Sequence, residues 1–167
     1  MNGYDAVVDI LKKEGFEWIA CFPANPLIEA AGKGGLKPIV FRQERGGIMA
    51  ADGYARMLAK EGKMGVFCSQ GGPGIENSFG GFAQAWAEAV PVLYLPAGSP
   101  ANVAEVKPAF DPQTNFAHIT KWCSSITKSS EISTQMRRAM SALKNGRPGP
   151  VLLEMRSDAM SAEVDNT

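Results

Sequence analysis

The sequence lacks the features that mark several large classes of protein. Its 17 Lys and Arg residues balance 17 Asp and Glu residues, so it has no basic excess of the kind typical of nucleic-acid-binding proteins. Its three cysteines form no Cys-x-x-Cys or zinc-ligand pattern, and no apolar run is long enough to cross a bilayer. The first residues do not have the basic start and apolar core of a signal peptide. We therefore predict a cytoplasmic protein without nucleic-acid or membrane partners.

What the chain contains is the composition of one globular domain. It has 167 residues, of which 45% are hydrophobic and 20% charged. A chain of this length buries enough surface to fold without a disulfide or a metal. Its 18 glycines and 11 prolines are concentrated in short motifs. We expect these motifs to be turns at which the chain changes from one element to the next.

Apolar runs alternate with amphipathic segments along the chain. The pattern predicts strands over 17–22, 37–41, 64–69, 91–95, 122–127 and 150–155, and helices over 3–14, 25–32, 43–60, 75–89 and 130–144. Residues 96–121 are predicted to be irregular. Fully apolar strands between helices indicate an α/β fold, a three-layer α/β/α domain with a mostly parallel sheet. We place this domain at 1–158, and residues 159–167 are predicted to be the start of a linker or a tail.

In such folds, ligands bind beyond the carboxyl ends of the strands. Three segments are predicted to reach that edge: 23–26, 43–44 and 70–77. Glu44 begins a stripe of apolar residues at helical spacing, with Ile48, Ala51, Ala55 and Leu58 following it. One interpretation is an acidic residue that is favoured by the dipole at a helix start. The other is a carboxyl group held in a dry cleft, where it can donate or accept a proton.

The glycine cluster at 71–74 fits none of the common nucleotide-binding motifs. It has no Lys-Ser or Lys-Thr after it, no third glycine of the dinucleotide fingerprint, and no nucleophile elbow. A tight turn between strand and helix explains the glycines. It does not explain the polar residues Gln70 and Asn77 on either side. The only histidine, His118, lies in the irregular region and is predicted to be a loop residue.

Four segments taken together resemble a known family. They are FRQERGGIMAADGYAR (41–56), GVFCSQGGPGIEN (65–77), EAVPVLYLPAG (88–98) and NGRPGPVLLEM (145–155). In order and spacing they resemble the N-terminal pyrimidine-binding domain of thiamine-diphosphate-dependent enzymes, in the group of acetolactate synthase, pyruvate oxidase and benzoylformate decarboxylase. The resemblance implies the thiamine-diphosphate-binding fold. It also implies a catalytic residue, Glu44, a substrate-side residue, Gln43, and a set of cofactor-binding residues comprising Pro23, Ala24, Glu44, Gln70, Pro73, Gly74 and Asn77.

The resemblance implies a specific role for Glu44. Its carboxyl would hydrogen-bond a ring nitrogen of the cofactor's aminopyrimidine, which favours the tautomer that deprotonates the thiazolium carbon. The enzyme would then act on a 2-keto acid, by decarboxylation or by acyl or aldehyde transfer. At position 43, Gln43 stands where the family has a histidine, and Gln70 stands where it has a small hydroxyl residue. Two further segments of the family are replaced by residues 97–99 and 110–116. These departures imply an altered substrate side, and the 2-keto acid and the product stay open.

The family's diphosphate and Mg²⁺ site is missing, because the chain has neither Gly-Asp-Gly nor Asn-Asn. We therefore expect no metal ligand here, and expect Mg²⁺ to be held by a diphosphate-binding domain or subunit outside this chain. The polar tail favours an N-terminal part of a longer enzyme, and the alternative is the alpha subunit of a split two-chain 2-keto acid decarboxylase. A homo-oligomer, dimer or tetramer, is expected in either case. A non-catalytic regulatory or binding domain of the same fold is a further alternative.

Overall fold

The structure is a computed structural model that describes residues 1–104 and 106–164. Its strands are β1 (Trp18–Cys21), β2 (Lys37–Val40), β3 (Gly65–Ser69), β4 (Val92–Gly98), β5 (Trp122–Ile126) and β6 (Val151–Arg156). The longer helices are α1 (Gly3–Lys13), α2 (Leu27–Gly34), α3 (Glu44–Met57), α4 (Pro73–Ala87) and α7 (Ile132–Lys144). Three short helices complete the set: α5 (Ala101–Ala104), α6 (Pro112–Phe116) and α8 (Ser157–Ser161).

The six strands form one sheet in the order β2-β1-β3-β4-β6-β5, and every pair is parallel. Helices cover both faces, so the predicted three-layer α/β/α fold is confirmed. Strands β2 and β5 lie at the two edges of the sheet. Because both faces are covered, the central strands β3 and β4 read as continuous apolar runs instead of alternating ones.

Successive strand residues contribute to two separate cores. On one face, Ile19 and Val66 pack with helices α1, α2, α7 and α8. On the other face, Phe67 and Tyr94 pack with α3, α4 and Phe116 of α6. This alternation follows from the two-residue period of a strand, which sends neighbouring side chains to opposite faces. Glu44 therefore starts a helix of the second face.

The region predicted to be irregular contains more structure than expected. Strand β4 continues to Gly98, and the short helices α5 and α6 follow it. Helix α6 begins because the Asp111 side chain accepts a hydrogen bond from the Gln113 amide at 2.9 Å, with Pro112 as the first helical residue. Asp followed by Pro is a common start of a helix, and the prediction overlooked it in a segment so rich in turn residues.

The predicted domain end at residue 158 stays a prediction. Ala159 and Met160 of helix α8 are buried in the first core. The Val164 amide donates to the Met1 carbonyl, and residues 2 and 163 form an isolated antiparallel bridge. The last part of the predicted tail, 165–167, lies outside the described residues. Within the described ranges, none of the helices has the length and apolarity needed to cross a bilayer.

The strand order creates a crevice at the carboxyl edge of the sheet. From β1 the chain crosses to β2, at the edge, and then returns through α3 to β3 on the other side of β1. The connection after β1 enters α2 on one face, whereas the connection after β3 enters α4 on the opposite face. The two connections therefore diverge, and the space between them is where ligands of open α/β sheets bind.

Candidate functional site

Glu44 lies at this crevice. It is the first residue of α3, directly after the chain leaves β2, and its relative exposure is only 3%. The stripe that starts with it is buried at Ile48, Ala51 and Ala55, whereas Leu58, just after the end of α3, is partly exposed. A carboxyl group is seldom buried without a partner, because removal from water is costly for a charge. The environment of its two oxygens therefore decides what it can do.

One oxygen of Glu44 is held, and the other is not. The Asn77 side-chain amide donates to Oε2 at 3.2 Å from the first turns of α4. Oε1 accepts no hydrogen bond from any residue in the described part of the chain. This arrangement orients the carboxyl from one side and leaves its second oxygen available to an N–H donor of a ligand. The fold thus brings together Glu44 and Asn77, which are 33 positions apart in the chain.

The glycine turn brings two further predicted residues to the same place. A Cβ atom on Gly74 would lie 2.6 Å from Cγ of Gln70 and 3.3 Å from Oε1 of Glu44. Glycine is therefore required here, because any side chain would press on Gln70 and on the free oxygen of the carboxyl. Glu44, Gln70, Gly74 and Asn77 form one cluster. We call these four residues the Glu44 cluster.

In the described part of the chain, the other predicted site residues make no side-chain hydrogen bond to Glu44. Pro73 is exposed at the start of α4, and Gln43 is exposed immediately before α3. Pro23 and Ala24 are exposed in the turn after β1 and line an apolar cavity of about 530 Å³ with Val40. They reach the same edge of the sheet, on the side of the edge strand β2.

A buried polar network beneath the glycine turn was not predicted. The Tyr94 hydroxyl lies 2.6 Å from Oγ of Ser69 and 3.1 Å from Oγ of Ser78, and Ser78 donates to the Gly74 carbonyl at 2.8 Å. Burial raises the pKa of Tyr94 well above its usual range, so the phenol stays neutral. The network fixes the turn that carries Gly74. Ser69, Ser78 and Tyr94 lie in segments predicted to be strands or helices. Their polar side chains were the only sign of the network in the sequence.

Asn25 is a second residue that the sequence interpretation passed over. Its side-chain amide donates to the Ser69 carbonyl at 2.9 Å and to the Leu95 carbonyl at 3.1 Å, and its Oδ1 accepts from the Leu27 amide at 3.0 Å. It therefore ties the turn after β1 to the end of β3 and to the middle of β4. An Asn between Ala24 and Pro26 is a turn residue by type, which was the only signal for this role.

We expect Asn25→Ala to lower the free energy of unfolding by about 1–3 kcal/mol, because two buried carbonyls lose their donor. Urea denaturation followed by circular dichroism measures the change. Asn102→Ala is the control, since Asn102 is exposed in α5. Equal stability of the two variants would show that Asn25 does not hold the crevice together.

The Ala51-Asp52-Gly53 sequence does not form a metal site. Asp52 is buried within α3, and its carboxylate is paired with Arg56 one turn later. Across residues 1–104 and 106–164, no group of three or more His, Cys, Asp or Glu side chains is arranged to hold a metal ion. His118 is exposed in the 3₁₀ turn that follows α6.

Comparison with known proteins agrees with this geometry. The family described as "Thiamine pyrophosphate enzyme, N-terminal TPP binding domain" matches residues 1–121. The chain is 33% identical over 170 residues to the probable acetolactate synthase large subunit of Methanocaldococcus jannaschii, covering 99% of this chain and 28% of that protein. It is 31% identical to acetolactate synthase isozyme 2 large subunit of Escherichia coli K12, covering 99% and 30%. The chloroplastic acetolactate synthase of Arabidopsis thaliana is 29% identical, covering 94% and 24%.

The fold and the site together define a class of protein. It is an α/β domain with a ligand crevice between β1 and β3 and a buried carboxyl group at the edge of that crevice. Within that class, the chain belongs to the family of N-terminal thiamine pyrophosphate-binding domains of thiamine pyrophosphate enzymes. The predicted family is thereby confirmed. The chain spans less than a third of the length of the curated relatives it matches.

Proposed function

We propose that this chain supplies the pyrimidine half of a thiamine diphosphate site in an enzyme that acts on a 2-keto acid. The observation that carries the proposal is Glu44. Its carboxyl is buried at the ligand crevice, held through Oε2 by Asn77 and open at Oε1. When bound, thiamine diphosphate supplies a carbon that can add to the keto group and stabilise the charge left by decarboxylation.

In this proposal, Glu44 holds or moves one proton at Oε1. A ring nitrogen of the cofactor's aminopyrimidine would share that proton with Oε1, because Oε1 is the oxygen that no residue of the described chain occupies. Asn77 keeps the carboxyl in one orientation, and the low exposure of Glu44 excludes competing water. Gly74 leaves space for the ring beside Oε1. Gln70 and Pro73 would line the same turn, and Pro23 and Ala24 the opposite wall.

The remaining half of the site would come from a diphosphate-binding domain or subunit that carries Gly-Asp-Gly and holds Mg²⁺. Two features support such a partner. The chain lacks that motif, and the relatives it matches are more than three times as long. The exposed side chains Met49 and Phe79 on α3 and α4 are suited to a subunit contact, and we propose a homo-oligomer, dimer or tetramer, formed in the cytoplasm.

The two adjacent glycines of α4, Gly80 and Gly81, have different surroundings. A Cβ atom on Gly81 would lie 2.5 Å from Cγ2 of Ile48, so Gly81 serves the packing of α4 on α3 within the chain. At Gly80 a Cβ would meet no described atom within 4 Å. Gly80, unlike Gly81, therefore leaves the backbone of α4 open to close approach by another domain or subunit.

The proposal is tested by assembling the chain with a diphosphate-binding domain or subunit and supplying a panel of 2-keto acids. We expect consumption of at least one of them to require both thiamine diphosphate and Mg²⁺, measured by the loss of the keto acid. The acetolactate synthase relatives make pyruvate the first substrate to try. Cofactor-independent consumption, or none across the panel with the cofactor bound, would contradict the proposed activity.

A further inference from the structure

A second polar cavity lies at the carboxyl edge of the sheet, apart from the Glu44 cluster. It has a volume of about 330 Å³ and is formed by the end of β6, the segment after β4 and the start of α6. Its lining includes Lys107, Phe110, Gln113, Glu154 and Arg156. We call it the Arg156 cavity. Its volume is at the lower end of the range of small-molecule sites.

Arg156 is the residue of this cavity whose hydrogen bonding is incomplete. It is the last residue of β6, paired in register with Gly98 at the end of β4, and its side chain is only 15% exposed. Its Nε atom is buried and has no hydrogen-bond partner among the residues that the structure describes. The nearest carboxylate oxygen, Oε2 of Glu154, lies 4.0 Å away, which exceeds hydrogen-bond length. A buried guanidinium N–H without an acceptor is costly, so a ligand that supplies one would be favoured.

The carboxyl groups near Arg156 are already engaged elsewhere. Glu154 accepts a hydrogen bond from Oγ of Ser125 at 2.5 Å. Ser125 in turn accepts one from the side-chain amide of Gln113 at 3.1 Å. Burial raises the pKa of Glu154. Both carboxyl oxygens of Asp111 accept hydrogen bonds at the start of α6, one from the backbone amide of Gln113 and the other from the Thr114 hydroxyl. Among the described lining residues, Arg156 and Lys107 are therefore the cationic donors that the cavity offers to a ligand.

We propose that the Arg156 cavity binds the carboxylate of a small organic acid, with the Arg156 guanidinium as its anchor. Arginine presents a planar fork of N–H donors that matches a carboxylate, and a deep position makes each such bond stronger than it is in water. Lys107 at the mouth adds attraction, and Phe110 provides an apolar wall for the carbon skeleton. The site is built only from residues of this chain, so it does not depend on thiamine diphosphate or on the proposed activity.

The acid could be a 2-keto acid substrate or a separate organic acid, and two probes distinguish these sources. We would titrate the ¹⁵N-labelled chain, without cofactor, with 2-oxoglutarate, with glutarate and with the neutral diamide of glutaric acid. The Nε–Hε resonance of Arg156 should shift with both acids and not with the diamide. Tighter binding of 2-oxoglutarate would mean that the keto group is recognised as well. Equal binding would mean that only the acid group is.

Arg156→Gln should weaken glutarate binding about ten-fold or more, because it removes the charged donors. Arg147→Gln is the matched control, since Arg147 is exposed over the ring of Trp86. If Arg156→Gln does not fold, Lys107→Gln, at an exposed position, should still weaken binding severalfold.

The proposal is overturned if the Arg156 resonance does not respond to either acid up to about 50 mM. It is equally overturned if the folded Arg156→Gln variant, or Lys107→Gln in its place, binds glutarate as the wild type does.

Discussion

Replacing Glu44 with glutamine should lower the turnover of the assembled enzyme by about 10²–10⁴-fold, the range that a positioned proton-transfer group contributes. The amide has the shape of the carboxyl and can still accept the Asn77 hydrogen bond through its oxygen. It cannot share a proton with a ring nitrogen of the cofactor. Steady-state kinetics at saturating cofactor measure the loss, and circular dichroism should show unchanged folding.

Glu61→Gln provides the matched control for that experiment. Glu61 is exposed in the 3₁₀ turn that follows α3, so the same chemical change there should leave turnover as it is. A Glu44→Gln enzyme with wild-type turnover would remove Glu44 from the mechanism. Glu44 would then be an acidic residue at a helix start, favoured only by the helix dipole.

The chain on its own should bind thiamine diphosphate with a dissociation constant weaker than about 10 μM, and Mg²⁺ should not improve it. The Glu44 cluster offers a carboxyl and an amide to the pyrimidine. The sequence contains no Gly-Asp-Gly to hold the metal and, through it, the diphosphate. Titration calorimetry with and without Mg²⁺ gives the measurement.

Thiamine without its diphosphate is the control ligand for that titration. If only the pyrimidine is recognised, thiamine and thiamine diphosphate should bind the isolated chain with similar, weak affinity. Tight binding of thiamine diphosphate that is lost when Mg²⁺ is chelated would reveal a diphosphate site within this chain. The division of the cofactor site between this chain and a partner would then be wrong.

Much of this architecture could be predicted because it depends on local patterns. The apolar strands and the stripe that follows Glu44 gave the layers, and the strand-then-helix order placed Glu44 at the ligand edge. The order of the strands in the sheet is different, because it depends on packing between elements far apart in the chain. The crevice between β1 and β3 therefore became visible only in the structure.

The supporting contacts of the site are long-range and left little trace in the sequence. Asn25 bonds carbonyls 44 and 70 residues away, and no local rule identifies such partners. Tyr94 lies in a fully apolar run, where the sequence does not show which face its hydroxyl points to. Arg156 directly follows the strand predicted over 150–155, and no sequence motif includes it. Its incomplete hydrogen bonding depends on the segment between β4 and α6, which was predicted to be irregular.

The central claim is that Glu44 promotes loss of the proton from the reactive thiazolium carbon of the cofactor. Exchange of that proton with deuterium, followed by rapid quenching and NMR in the assembled enzyme before substrate is added, isolates this step from all later chemistry. The Glu44→Gln enzyme should exchange it about 10²-fold or more slowly than the wild type and the Glu61→Gln control. Exchange at the wild-type rate in Glu44→Gln, with the cofactor bound, would contradict the claim.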